Sequence, residues 1–137
     1  MKKLVFITAL LLFAGVSFGQ RLQKGNLLAL HTLEITPNPD VSFNEFMEHF
    51  TGEFIPKYEE SFPGLHFYVV KGDRGESENQ IGMIMLSEST DVRDRYWPSP
   101  DSASEEAMKA FGKMATAMDE LEKYGTFSSV YTDWVVE

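Results

Sequence analysis

The sequence predicts one α+β domain with the element order β-α-β-β-α-β, folded as a four-stranded antiparallel sheet with two helices on one face. Three observations lead there. The chain has 137 residues, room for one domain at roughly 150 residues each. Four short apolar runs rich in β-branched and aromatic residues are separated by proline- and glycine-bearing turns. Two longer stretches repeat apolar residues at helical spacing, each opened by a Ser-x-x-Glu pattern.

The elements follow in order. Residues 27–35 (LLALHTLEI) read as a first strand, and Thr36-Pro37-Asn38-Pro39-Asp40 is turn chemistry that ends it. Ser42 and Glu45 make a capping box for a helix whose aromatic stripe is Phe43, Phe46, Met47, Phe50, Phe54 and Tyr58. Pro56 should kink or break that helix, because its ring collides with the carbonyl four residues back. Phe62-Pro63-Gly64 closes the unit. Residues 66–71 and 80–87 read as two strands joined in a long hairpin by the polar loop Gly72–Asn79. A helical turn is expected over Thr90–Tyr96, then a break at Trp97-Pro98-Ser99-Pro100. Ser102 with Glu105 suggests a second capping box, opening a helix with Met108, Phe111, Met114, Ala115, Met118 and Leu121 inward. Gly125 is expected as its C′ residue, and residues 127–136 as the last strand.

The first and third strands must then be central. Leu28 and Leu30, with Ile81, Met83, Ile84, Met85 and Leu86, are apolar on both faces of those strands. Helices can cover only one face. A greasy second face is unusual on a monomer, so a homodimer that buries it is expected.

Composition narrows the function. Twelve basic against 21 acidic residues and a net charge of −9 argue against nucleic acid, which needs a positive face to displace counterions. No cysteine is present, which removes disulfides, thiolate catalysis and zinc or iron–sulfur sites that need sulfur ligands. Lys2 and Lys3, the apolar run 4–14 and the small residues up to Gly19 have the order of a secretory signal peptide. The apolar run is shorter than the roughly 20 residues a membrane span requires. The expected organisation is a signal peptide at 1–19, a flexible leader at 20–26, and a domain at 27–137 without a membrane span, exported to a bacterial periplasm or beyond.

With this order, the proline turn before the first helix, the Phe62-Pro63-Gly64 close and the helical segment after the third strand, the chain resembles the dimeric α/β-barrel superfamily of ferredoxin-like domains. That group contains antibiotic-biosynthesis-type monooxygenases, NIPSNAP proteins and stress-responsive barrel domains. The stretches 71–76 (KGDRGE) and 93–98 (RDRYWP) are also similar to small exported bacterial proteins without established function. The resemblance implies a pocket between sheet and helices, used without a cofactor by oxygenases or isomerases. Haem-degrading members use a histidine of the second helix; none stands between Glu105 and Tyr124 here.

Among single residues, His31 is the candidate base or orienting donor, since an imidazole among leucines on a central strand is perturbed by its setting. The alternative is a histidine hydrogen-bonded within the core. Strand parity decides its company: odd positions of the last strand would bring Tyr131 and Asp133, even ones Thr132 and Trp134. Tyr68, Tyr131, Asp133 and Trp134 are candidate pocket lining. Trp97, with Arg93, Arg95 and Tyr96, forms the basic and aromatic cluster that would rim a pocket or recognise a partner; alternatively its aromatics cap the core while the arginines neutralise Asp91 and Asp94. His49 and His66 are expected at the surface. The histidines lack metal-ligand spacing, and no G-x-S-x-G elbow occurs. The expected function is a dimeric small-molecule-binding protein, or alternatively a non-catalytic interaction module.

Overall fold

The computed structural model describes residues 21–137; the expected signal peptide lies outside the described residues. Strands β1 (Leu27–Pro37), β2 (Leu65–Lys71), β3 (Ile81–Ser87) and β4 (Gly125–Val135) form one antiparallel sheet in the order β2-β3-β1-β4. The fold is ferredoxin-like. Residues 23–26, part of the expected leader, are tied down. Gly25 N–H donates to the Val136 carbonyl, Val136 N–H to Asn26, and the Asn26 side chain to Glu88.

Every register in the sheet pairs odd with odd positions. Leu27, Ala29 and Leu33 of β1, Leu65 and Phe67 of β2, and Ile81, Met83 and Met85 of β3 are therefore buried together under the helices. The even positions form the opposite, helix-free face. Leu28, Leu30, Ile84 and Leu86 lie there, so the two-sided apolarity of the central strands divides cleanly between a covered face and a bare one. Toward the edges of the bare face are Tyr68, Val70, Trp134 and Val130, the last 73% exposed.

Helix α1 (Phe43–His49) starts on the expected capping box: Ser42 Oγ accepts from Glu45 N–H and the Glu45 carboxylate accepts from Ser42 N–H. Pro56 does not break the helical run. A π-helical segment, Phe50–Phe54, precedes α2 (Ile55–Ser61), with Ile55 N–H donating to the Phe50 carbonyl. The wider turn absorbs the proline where the missing N–H and the ring would otherwise disrupt the ladder. It also keeps Phe46, Phe50 and Phe54 on one side, their rings stacked at 5.6 and 5.5 Å. Phe43, expected in that stripe, is largely exposed because it is the first helical residue and precedes the contact with the sheet.

Helix α3 (Thr90–Tyr96) is capped by Ser89. Helix α4 (Glu105–Glu122) is capped by Ser104 rather than Ser102: Ser104 Oγ accepts from Ala107 N–H and donates to the Arg95 carbonyl, while Ser102 bonds Ser99. The inward face of α4 is also rotated from the expected stripe. Ala107, Ala110, Met114 and Leu121 are buried, whereas Met108 is 62% exposed and Met118 and Ala115 also face out. Small alanines at the contact let the helix lie close, and hydropathy alone ranks methionine above alanine for burial. Gly125 is not the C′ residue of α4, whose C-cap is Lys123. It begins β4 opposite Pro37 at φ +156°, where a Cβ would sit 2.5 Å from the Thr36 carbonyl oxygen. At the β2 edge, the Glu59 carboxylate accepts from Phe67 N–H and contacts His66 Nδ1, blocking strand addition there.

Candidate functional site

The odd parity of β4 brings His31, Tyr131 and Asp133 onto the helix side of the sheet. His31 lies directly opposite Tyr131, and Asp133 opposite Ala29. The imidazole stacks on the Tyr131 ring at 5.1 Å, and Nδ1 lies 3.2 Å from Ser129 Oγ. Its Nε2 is buried without a protein partner, and so is Asp133 Oδ1. The arrangement of a histidine satisfied on both nitrogens within the core is therefore not what the fold builds.

These side chains line a cavity of about 300 Å³ between sheet and helices, at the lower end of the range for small-molecule sites. Its lining includes Ala29, Phe67, Met83 and Met85 from the sheet, Tyr58 and Phe111 from the helices, and Trp97 and Pro100 from the segment after α3. Trp97 is held by stacking on Phe62, 5.4 Å away and nearly parallel, and Phe62 in turn meets Tyr58 and Phe111 edge-on. The segment after Trp97 is closed by Ser99–Ser102 bonding and by Ser104 N–H donating to the Tyr96 carbonyl, so it sits as a fixed rim.

Arg93 reaches this site from α3. Its guanidinium bonds Asp94 through Nε and Asp133 through Nη1. Arg95 goes to Glu106 instead. The sequence reading paired the arginines with Asp91 and Asp94; Asp133, forty positions away, is the partner that matters for the cavity. Tyr68 and Trp134 do not join the site. They are at even positions and so lie on the opposite face of the sheet, separated from His31 by the sheet itself. His49, expected at the surface, is half-buried and stacked on Tyr124 at 4.2 Å. Residues that sequence reasoning missed as cavity lining include Tyr58, Phe67 and Phe111, which look like ordinary core positions until the helices are placed.

Burial lowers the basicity of His31, and the nearby Asp133 carboxylate opposes that only in part, so the ring is neutral at neutral pH. Burial pushes the Tyr58 phenol up to about 12, which keeps it as O–H. Among the described residues no cluster of three histidine or carboxylate groups is placed to hold a metal ion. No helix among them is long and apolar enough to cross a membrane.

No protein-family model matches this sequence, and no curated protein matches it. Solved structures of similar shape include SnoaB, a cofactor-independent oxygenase from Streptomyces nogalater, at 13% identity and a TM-score of 0.46, over 82% of this chain and 94% of that one. Another is a dimeric protein of unknown function and ferredoxin-like fold from Bacteroides fragilis, at 13% identity and a TM-score of 0.40, over 82% of this chain and 98% of that one. The ferredoxin-like assignment of this chain rests on its own strand order and register.

Proposed function

We propose that the protein binds a small, largely apolar molecule in the cavity at His31 and acts as an exported homodimer. One observation carries the binding reading: a preformed cavity whose walls are aromatic and sulfur-bearing, and whose lining residues include two buried polar atoms without partners, His31 Nε2 and Asp133 Oδ1. A buried polar group left unsatisfied costs about 1–3 kcal/mol, a cost that a bound molecule with matching groups would relieve. Trp97, the anchor that a protein-interaction surface would need, is turned inward onto Phe62, which favours a pocket over a recognition patch.

Titration with indole, followed by amide and side-chain chemical shifts, is expected to move His31, Trp97 and Tyr131 together, and His31→Ala should weaken that response several-fold. Shifts confined to the bare sheet face, or an unchanged response in His31→Ala, would sink the reading. For export, intact-mass measurement of protein recovered outside the cytoplasm should give a chain starting at Gln20. A chain retaining Met1–Gly19 would contradict it.

A further inference from the structure

One guanidinium stands against two carboxylates: Arg93 bonds Asp94 at Nε and Asp133 at Nη1, Asp133 lining the cavity and Asp94 the adjoining crevice. With His31 as its Nδ1–H tautomer, the two unpartnered atoms have the same polarity. Asp133 Oδ1 can only accept a hydrogen bond. His31 Nε2 accepts as well when Nδ1 carries the proton and donates to Ser129 Oγ, and burial keeps that ring uncharged. His31 and Asp133 are diagonal neighbours across β1 and β4 on one face of the sheet. Two acceptors so placed are satisfied together by a single group carrying at least two N–H donors. Around them stand the aromatic residues Tyr131, Trp97 and Tyr58, rings of the kind whose quadrupole attracts a cation. The chain as a whole carries −9, which draws cations toward it at low salt.

We infer that the ligand of this cavity is an organic amine, bound as its ammonium ion between His31 and Asp133 with its apolar body against the aromatic walls. This rests on the binding reading above and adds the sign of the ligand's charge. An organic anion is disfavoured, since the one cation present already holds two carboxylates. A neutral alcohol can satisfy one acceptor and leaves the other bare.

Three probes of nearly equal size separate these cases: 2-phenylethylamine, 2-phenylethanol and phenylacetate, titrated calorimetrically into the full-length protein at low salt and neutral pH. The amine should bind about tenfold more tightly than the alcohol, the scale on which a charge-assisted hydrogen bond and a cation–π contact act, and the acid should bind most weakly. Asp133→Asn should erase the amine's advantage while alcohol binding persists, which also shows that the variant is folded. Equal binding of all three would overturn the amine inference and leave the cavity reading standing, and so would tighter binding of the acid. Binding of none would overturn both.

Discussion

Replacing Phe62 by alanine is expected to lower stability by about 3–5 kcal/mol, the usual cost of deleting a fully buried phenylalanine. Phe62 is completely buried and touches four aromatic rings: Tyr58, Tyr96, Trp97 and Phe111. For a domain of this size the loss corresponds to a fall in Tm of roughly 10–20 °C, measurable by thermal unfolding. The consequence reaches the site, because Trp97 and Phe111 form part of the cavity and lean on Phe62. Phe62→Ala should therefore weaken indole binding even at temperatures where the variant is folded. Phe62→Leu, which keeps most of the volume, should recover much of the stability. A change in Tm of only a few degrees for Phe62→Ala would mean that α2, α3 and α4 are not held together through this ring.

The bare sheet face supplies the second large effect. Wild-type protein at micromolar concentration should scatter light as a dimer, and Leu30→Glu should convert it to monomer, weakening association on the order of 100-fold or more. Leu30 sits on the central strand β1, opposite Ile84 and Thr132, and is already 43% exposed in the single chain, so a glutamate there leaves the protomer fold intact. In a two-fold interface each substitution appears twice, and a buried unpaired carboxylate is costly. A sheet-to-sheet interface would bury on the order of 1,500 Å², the size of a stable association. A monomeric wild type would remove the dimer, and a dimeric Leu30→Glu would place the interface elsewhere. Circular dichroism on the variant separates dissociation from unfolding.

Element order was legible in the sequence because period and punctuation are local. Alternation and β-branching mark strands, while Pro39, Gly64 and the Gly72–Asn79 loop interrupt the chain where a strand or helix could not continue. The Ser42–Glu45 cap needs only neighbours three residues apart. The failures were of one kind, in which several local solutions were open and distant contacts chose among them. Ser102 and Ser104 both precede an acidic helix start, and Ser104 caps because its hydroxyl also reaches the Arg95 carbonyl. Met108 and Met118 are apolar enough for the core, yet Ala107 and Ala110 are the residues buried. Pro56 disrupts an α-helix but is absorbed by a π turn that local sequence does not announce.

For the candidate site the division is sharper. The sequence by itself determined that a lone histidine sits among leucines on a central strand, that the chain is acidic and free of cysteine, and that both faces of the sheet are apolar. It left His31 with two sets of neighbours, Tyr131 and Asp133 or Thr132 and Trp134. Only the tertiary structure chose the first, sending Trp134 and Tyr68 to the far face and bringing Arg93 across to Asp133. The reason is geometric. A strand's side chains alternate with period two, so a single residue of slip between β1 and β4 inverts every assignment. That register is set over the whole pairing from Leu27–Val135 to Pro37–Gly125, including the close approach that only Gly125 permits.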